Sequence, residues 1–192
     1  NMVGSETYNV VEEDIEELFI LNGSGGEFKH RLLTIADNVP ALDRGNFIIL
    51  FARPEMGKTT FSSFNASGYI KQGKKVTYWA NEEPAVRIKL RIVQSYFNQT
   101  KEEIADNIEN YKEEYLTKIK PYLTVLDSVG THIDEINEYT RVYKPDVMFI
   151  DQLDKVQVSG TYNRTDEKLK EVYVRAREIA KRHDCLLWAV SQ

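Results

Sequence analysis

A chain of 192 residues, 42% hydrophobic and 29% charged, is long enough to close one sizeable core and has an ordinary soluble composition. With no run of eighteen apolar residues and no basic-then-apolar order at its start, it is expected to be soluble and cytoplasmic, without a spanning helix or signal peptide. The formal net charge of −5 argues against a generally basic surface; however, residues 1–20 hold six acids and no Lys or Arg, leaving +1 on the remainder and room for a local basic loop that meets nucleic acid.

Residues 12–21 read as a short acidic amphipathic helix with Ile15, Leu18, Phe19 and Leu21 on its apolar side, and Asn22-Gly23-Ser24-Gly25-Gly26 reads as a flexible break. Residues 1–26 are therefore expected to be an arm or linker and residues 27–192 the folded domain. Apolar runs then alternate with helical patterns, predicting strands at 47–52, 76–80, 122–126, 147–151 and 186–190. Strands separated by helices predict an α/β fold built on a parallel sheet with helices on both faces. Pro84 suits the first turn of a helix reaching about residue 98, while Pro121 and Pro145 fall just before strands. The clearest helix is predicted over 165–182, where Leu169, Val172, Tyr173, Ala176, Ile179 and Ala180 keep the i, i+3, i+4, i+7 spacing and Asp166 and Glu167 occupy the first turn. Cys185, the single cysteine, lies in an apolar run and reads as core; His30, His132 and His183 lack ligand spacing, so no structural metal site is expected.

The first strand runs into Ala52-Arg53-Pro54-Glu55-Met56-Gly57-Lys58-Thr59, followed by Thr60 and a helical segment, which is the strand, loop, helix context of a phosphate-binding loop. Backbone N–H groups of such a loop converge on phosphates at the helix N-terminus, Lys58 reaches the β- and γ-phosphates, and the Thr59 hydroxyl serves Mg²⁺. The bound ligand is expected to be a nucleoside triphosphate. Ala52 departs from the glycine that usually opens the motif, and its Cβ narrows the conformations open to the loop entrance.

Further carboxylates fall at the carboxyl ends of predicted strands, where open α/β sheets bind ligands. Asp151 closes a buried strand and is the metal-side candidate. Glu82 and Glu83 follow the second strand, and either can orient an attacking water as general base; adjacent strand residues point to opposite faces, so only one is expected to face the nucleotide. The last strand runs into Ser191-Gln192, placing an amide at the same edge.

From about residue 31 to 192 the chain resembles the RecA-like motor domain of hexameric replicative helicases, the DnaB helicases and phage primase-helicases. Ala52 through Phe61 is similar to the DnaB form of the loop, including Ala in place of the first Gly. The resemblance implies an ATPase using ATP and Mg²⁺, with Glu82 as catalytic glutamate, Asp151 as metal-side aspartate and Gln192 as γ-phosphate-sensing glutamine. It also implies a homo-hexamer, and a channel-facing loop after the metal-side strand that contacts single-stranded DNA, here carrying Lys155, Tyr162, Asn163 and Arg164. A RecA-class recombination or repair ATPase, and a nucleotide-dependent assembly switch that does not translocate, share the same core. The family pattern continues past its glutamine to a basic finger serving the neighbouring subunit. This chain is therefore expected to be part of a longer polypeptide and a weak ATPase alone.

Overall fold

A computed structural model of the chain describes residues 26–160, 162 and 164–191. Five strands, β1 (Phe47–Phe51), β2 (Val76–Ala80), β3 (Leu123–Asp127), β4 (Val147–Asp151) and β5 (Leu186–Ser191), form one sheet in the order β1-β5-β4-β2-β3. Every pairing is parallel. The helices are α1 (Leu33–Ala36), α2 (Lys58–Lys71), α3 (Ala85–Phe97), α4 (Lys101–Asp106), α5 (Ile108–Glu114), α6 (Ile133–Tyr143) and α7 (Thr165–Arg182), with a π-helical turn at Tyr115–Ile119 and a 3₁₀ turn at Leu153–Lys155. The expected acidic helix at 12–21 lies outside the described residues.

Both sheet faces are apolar because both are covered. On one face Tyr78, Phe149 and Trp188 stand side by side across β2, β4 and β5, with ring centroids 5.6 and 5.9 Å apart, and pack with Ala66, Tyr69, Ile88 and Ile92 of α2 and α3. On the other face Trp79, Met148, Ile150, Leu187 and Ala189 meet Ile133 and Ile136 of α6 and Val172, Ala176 and Ile179 of α7. The period of two along each strand delivers alternate residues to the two cores. Phe28, fully buried and edge-on to Tyr69, exchanges both backbone hydrogen bonds with Leu42 and ties the entering chain to α2.

Helix α7 starts and ends where its periodicity predicts, and β2 and β4 match their apolar runs. Four strand bounds shift by one residue. β1 stops at Phe51 because the Ala52 carbonyl turns inward to accept from Lys58 Nζ at 2.9 Å. Tyr122 falls outside β3 because its N–H donates to Ile119 O at 3.0 Å in the turn that follows the π-helical turn; β3 runs on to Asp127, paired with Ala80, and β5 to Ser191, paired with Phe51. Pro84 sits just before α3 as its cap, not within its first turn. Cys185 is fully buried, and burial pushes its thiol up to about 12, which fits core and not nucleophile. Among the described residues no helix is long and apolar enough to cross a membrane.

Candidate active site

The sheet order places β5 between β1 and β4, so the phosphate loop after β1 and the carboxylate ending β4 emerge at the same edge on either side of β5. Gly57 caps α2 with φ 82°, a conformation open to glycine, and no side chain caps the helix. The first-turn N–H groups of Lys58, Thr59 and Thr60 therefore keep their donors for an anion, and no acid lies in that turn. Lys58 is 7% exposed, and its ammonium donates to the carbonyls of Ala52 at 2.9 Å and Arg53 at 3.3 Å, waiting beside the loop entrance. Ala52 is tolerated because the left-handed conformations within the loop fall on Glu55, φ 63°, and Gly57, and not on the opening residue. Pro54 and Met56 form the exposed outer part of the loop.

A cavity of about 270 Å³ is lined by Glu55, Gly57, Lys58, Thr59 and Thr60 from the loop, and by Glu82, Glu83 and Arg91 from the end of β2 and from α3. Both glutamates reach it. The expected alternation does not separate them, because β2 ends at Ala80 and residues 81–83 form a bend. That bend is held where Ala85 N–H donates to Asp127 Oδ1 at 3.1 Å. What separates the two is their partners. Arg91 grips Glu83 through two nitrogens, at 2.7 and 3.1 Å, whereas Glu82 accepts one hydrogen bond from the neutral amide of Gln152, Nε2 to Oε2 2.6 Å. Glu83 is thereby charge-paired, while among the described residues Glu82 forms no ion pair, which suits a general base.

Asp151 is 1% exposed, and burial, reinforced by the charges of Glu82 and Glu83, lifts its carboxyl to about 6. Its Oδ2 accepts weakly from Tyr78 OH at 3.5 Å; Tyr78 bonds Ser62 Oγ at 2.8 Å, which in turn donates to Thr59 O at 3.1 Å, linking the strand to the start of α2. Among the described residues its Oδ1 is buried without a hydrogen-bond partner. Such an orphaned carboxylate oxygen fits a cation or its water. Among the described residues no three His, Cys, Asp or Glu side chains form a metal cluster, so a Mg²⁺ ion here would depend on Thr59, Asp151 and the phosphates themselves.

A raised carboxyl in the folded state means that the fold holds a proton more tightly than the unfolded chain. Stability is then full below the usual carboxylate range and is lost as pH rises through about 6. In chelator, Asp151→Asn is expected to match wild type near pH 4 and to exceed it above pH 6 by on the order of 3 kcal/mol, at 1.36 kcal/mol per pH unit. Urea unfolding across this range checks the difference; a gap that stays constant with pH would remove the buried charge as its cause.

The segment after β4 is only partly a solvent loop. Leu153 and Val156 are buried in the core beneath α7, and Gln157 bridges to the residues just before α6, its N–H donating to Thr131 O and its carbonyl accepting from Ile133 N–H. Of the residues expected to meet DNA, Lys155 is exposed, Tyr162 turns its hydroxyl back to Ser159 O at 2.9 Å, and Arg164 pairs with Asp166 at 3.0 Å on an exposed surface. Asn163 and Gln192 lie outside the described residues. Ser191, immediately before Gln192, is buried at the same edge of the sheet.

Residues 31–192 match the family model described as the DnaB-like helicase C terminal domain. The chain belongs to this family. The DnaB-like domain is 29% identical over 155 residues to a "Probable plasmid replicative DNA helicase" of Chlamydia psittaci, covering 73% of this chain and 32% of that protein. It is 27% identical to the "Replicative DNA helicase DnaB" of Haemophilus influenzae, covering 96% of this chain and 43% of that protein. The chain thus spans less than half the length of either relative. Among solved structures the fold is shared with the "ATPase Domain of G40P", at TM-score 0.71 and 17% identity over 95% of this chain and 72% of the other. It is shared also with a DnaB-like replicative helicase studied with primase, at TM-score 0.64 and 19% identity over 78% and 39%.

Within this DnaB-like domain, sequence reasoning missed Gln152, Arg91 and the Ser62–Tyr78 link. Arg91 was within its reach, since a basic residue two turns into a helix that starts just after Glu83 lies on the side facing the preceding chain. Gln152 left no local signal, because its reach to Glu82 depends on the pairing of β2 with β4.

Proposed function

We propose that this domain is the ATP-hydrolysing motor of a ring-forming replicative DNA helicase, cytoplasmic and hexameric in its complete form, moving along single-stranded DNA. The observation that carries the reading is the cavity in which Lys58, Thr59 and Glu82 meet, with the orphaned Asp151 oxygen on the neighbouring strand. The loop N–H groups and Lys58 bind and orient the phosphates. Thr59 and Asp151 would hold Mg²⁺, which when bound neutralises charge building on the transferred phosphoryl group. Glu82 orients a water for in-line attack and takes up its proton at the carboxylate. Arg91 keeps Glu83 charge-paired, and Gln192, the next residue in sequence after Ser191 of β5, is assigned the reading of the γ-phosphate.

The exposed Lys155 and Arg164 are proposed to face single-stranded DNA, one segment per subunit around a channel. The full-length protein is expected to displace a strand in the presence of ATP. Lys155→Ala with Arg164→Ala should weaken its single-stranded DNA binding and flatten the salt dependence by about 0.7 in log–log slope for each phosphate that is no longer neutralised. Fluorescence anisotropy over a salt series reads both. Unchanged affinity and slope would exclude this segment from the DNA path, and nucleotide-dependent assembly without strand displacement would favour a switch over a motor.

A further inference from the structure

Gln152 combines features that the phosphate chemistry alone does not require. It follows Asp151 directly, is 3% exposed, and holds a left-handed backbone conformation, φ 58° and ψ 64°, that straight-chain residues adopt only when their surroundings impose it. That conformation turns the chain from β4 into the 3₁₀ turn at Leu153–Lys155, whose first bond runs from Lys155 N–H to the Gln152 carbonyl at 2.9 Å. Its side chain points the other way, across to the end of β2, where Nε2 donates to Glu82 Oε2 at 2.6 Å. A single strained residue therefore joins the start of the segment carrying Lys155, Tyr162 and Arg164 to the carboxylate that faces the cavity.

We propose that Gln152 is a positioning residue that restrains Glu82, and that displacement of the segment after β4 releases it, coupling occupancy of that segment to hydrolysis. The amide occupies a lone pair of the Glu82 carboxylate and fixes its orientation toward β4 without pairing its charge, unlike the guanidinium on Glu83. A left-handed residue has discrete alternatives in the right-handed and extended regions, so a shift of the following turn resets its backbone in one step and withdraws the side chain with it. Leu153 and Val156 are buried and Gln157 is bridged to the residues before α6, so the segment moves as a packed unit and transmits displacement at its exposed part back to Gln152.

The inference rests on Glu82 being the base. The test uses the full-length assembled protein, with turnover measured at saturating ATP with and without a single-stranded oligonucleotide. Gln152→Met removes the donor at nearly constant length. Gln152→Asn keeps an amide and suits the left-handed backbone but is one methylene short, which guards against a fold defect in the first variant. Both are expected to raise DNA-free kcat about tenfold, the scale of one charge-assisted hydrogen bond, and to lower the DNA-stimulated to DNA-free ratio by the same factor with KM little changed. A structural role alone would not move that ratio upward at its DNA-free end. Equal loss of turnover in both conditions, or a wild-type ratio in Gln152→Asn, overturns the restraint. Glu82→Gln separates the two readings: if it leaves turnover intact the base assignment itself fails, whereas if it abolishes turnover while Gln152→Asn keeps the wild-type ratio, only the coupling fails.

Discussion

Lys58→Ala is expected to weaken triphosphate binding by roughly a hundredfold or more while leaving the fold in place. Lys58 is a nearly buried cation at the first position of α2, lining the cavity and, among the described residues, bonded meanwhile to the carbonyls of Ala52 and Arg53. When a triphosphate enters, those bonds give way to phosphate oxygens. Removing one partner of such a desolvated charge pair costs about 3 kcal/mol or more, or about two decades in Kd. The fold should not follow, because alanine is the better helix former, and Ala52 and Arg53 are half-buried and exposed residues whose carbonyls water can serve. Calorimetry with a non-hydrolysed triphosphate and far-UV circular dichroism measure the two effects separately. Wild-type affinity in a variant with a wild-type spectrum would end the assignment of this loop to phosphate binding.

Much of this site was legible because its parts are local. A phosphate loop needs a strand, a turn with glycine before the lysine, and a helix, all within a short stretch, and the residues from Phe47 to Lys71 carry that order in their apolar pattern. Strands β2 and β4 were legible for a different reason: they are buried on both faces, so their sequences are near-continuous apolar runs, interrupted by Thr77 and closed by Asp151. The sheet order was not legible, since insertion of β5 between β1 and β4 includes a pairing of β1 with a segment more than a hundred residues away. Two helix starts carry local signals of their own. Thr100 with Glu103 and His132 with Glu135 each close a capping box, marking the starts of α4 and α6. Leu153 and Val156 fall within the segment after β4 expected to be a channel-facing loop, yet the 3₁₀ turn puts residues three apart on one side and buries both.

Alternation along a strand cannot choose between Glu82 and Glu83, because both lie in the bend beyond β2, and the choice passes to their partners. Glu82→Gln in the full-length protein is expected to retain nucleotide binding and lose turnover by roughly 10²–10⁴-fold, the range for a positioned acid–base group. The amide replaces a carboxylate of the same shape, so the geometry survives and the proton acceptor does not. It also places an amide opposite the Gln152 amide, which can rotate to offer its carbonyl oxygen, so the substitution introduces no unpaired donor. Glu83→Gln acts on a part-exposed pair with Arg91, 28% and 36% exposed, and such pairs contribute about 1 kcal/mol or less. Its turnover is expected to stay within about fivefold of wild type, with the freed Arg91 guanidinium still at the cavity wall. Single-turnover rates with bound triphosphate separate chemistry from binding and give the ranking directly. A severe loss in Glu83→Gln beside a mild one in Glu82→Gln would transfer the base to Glu83 and make its pairing with Arg91 the restraint to be broken before hydrolysis.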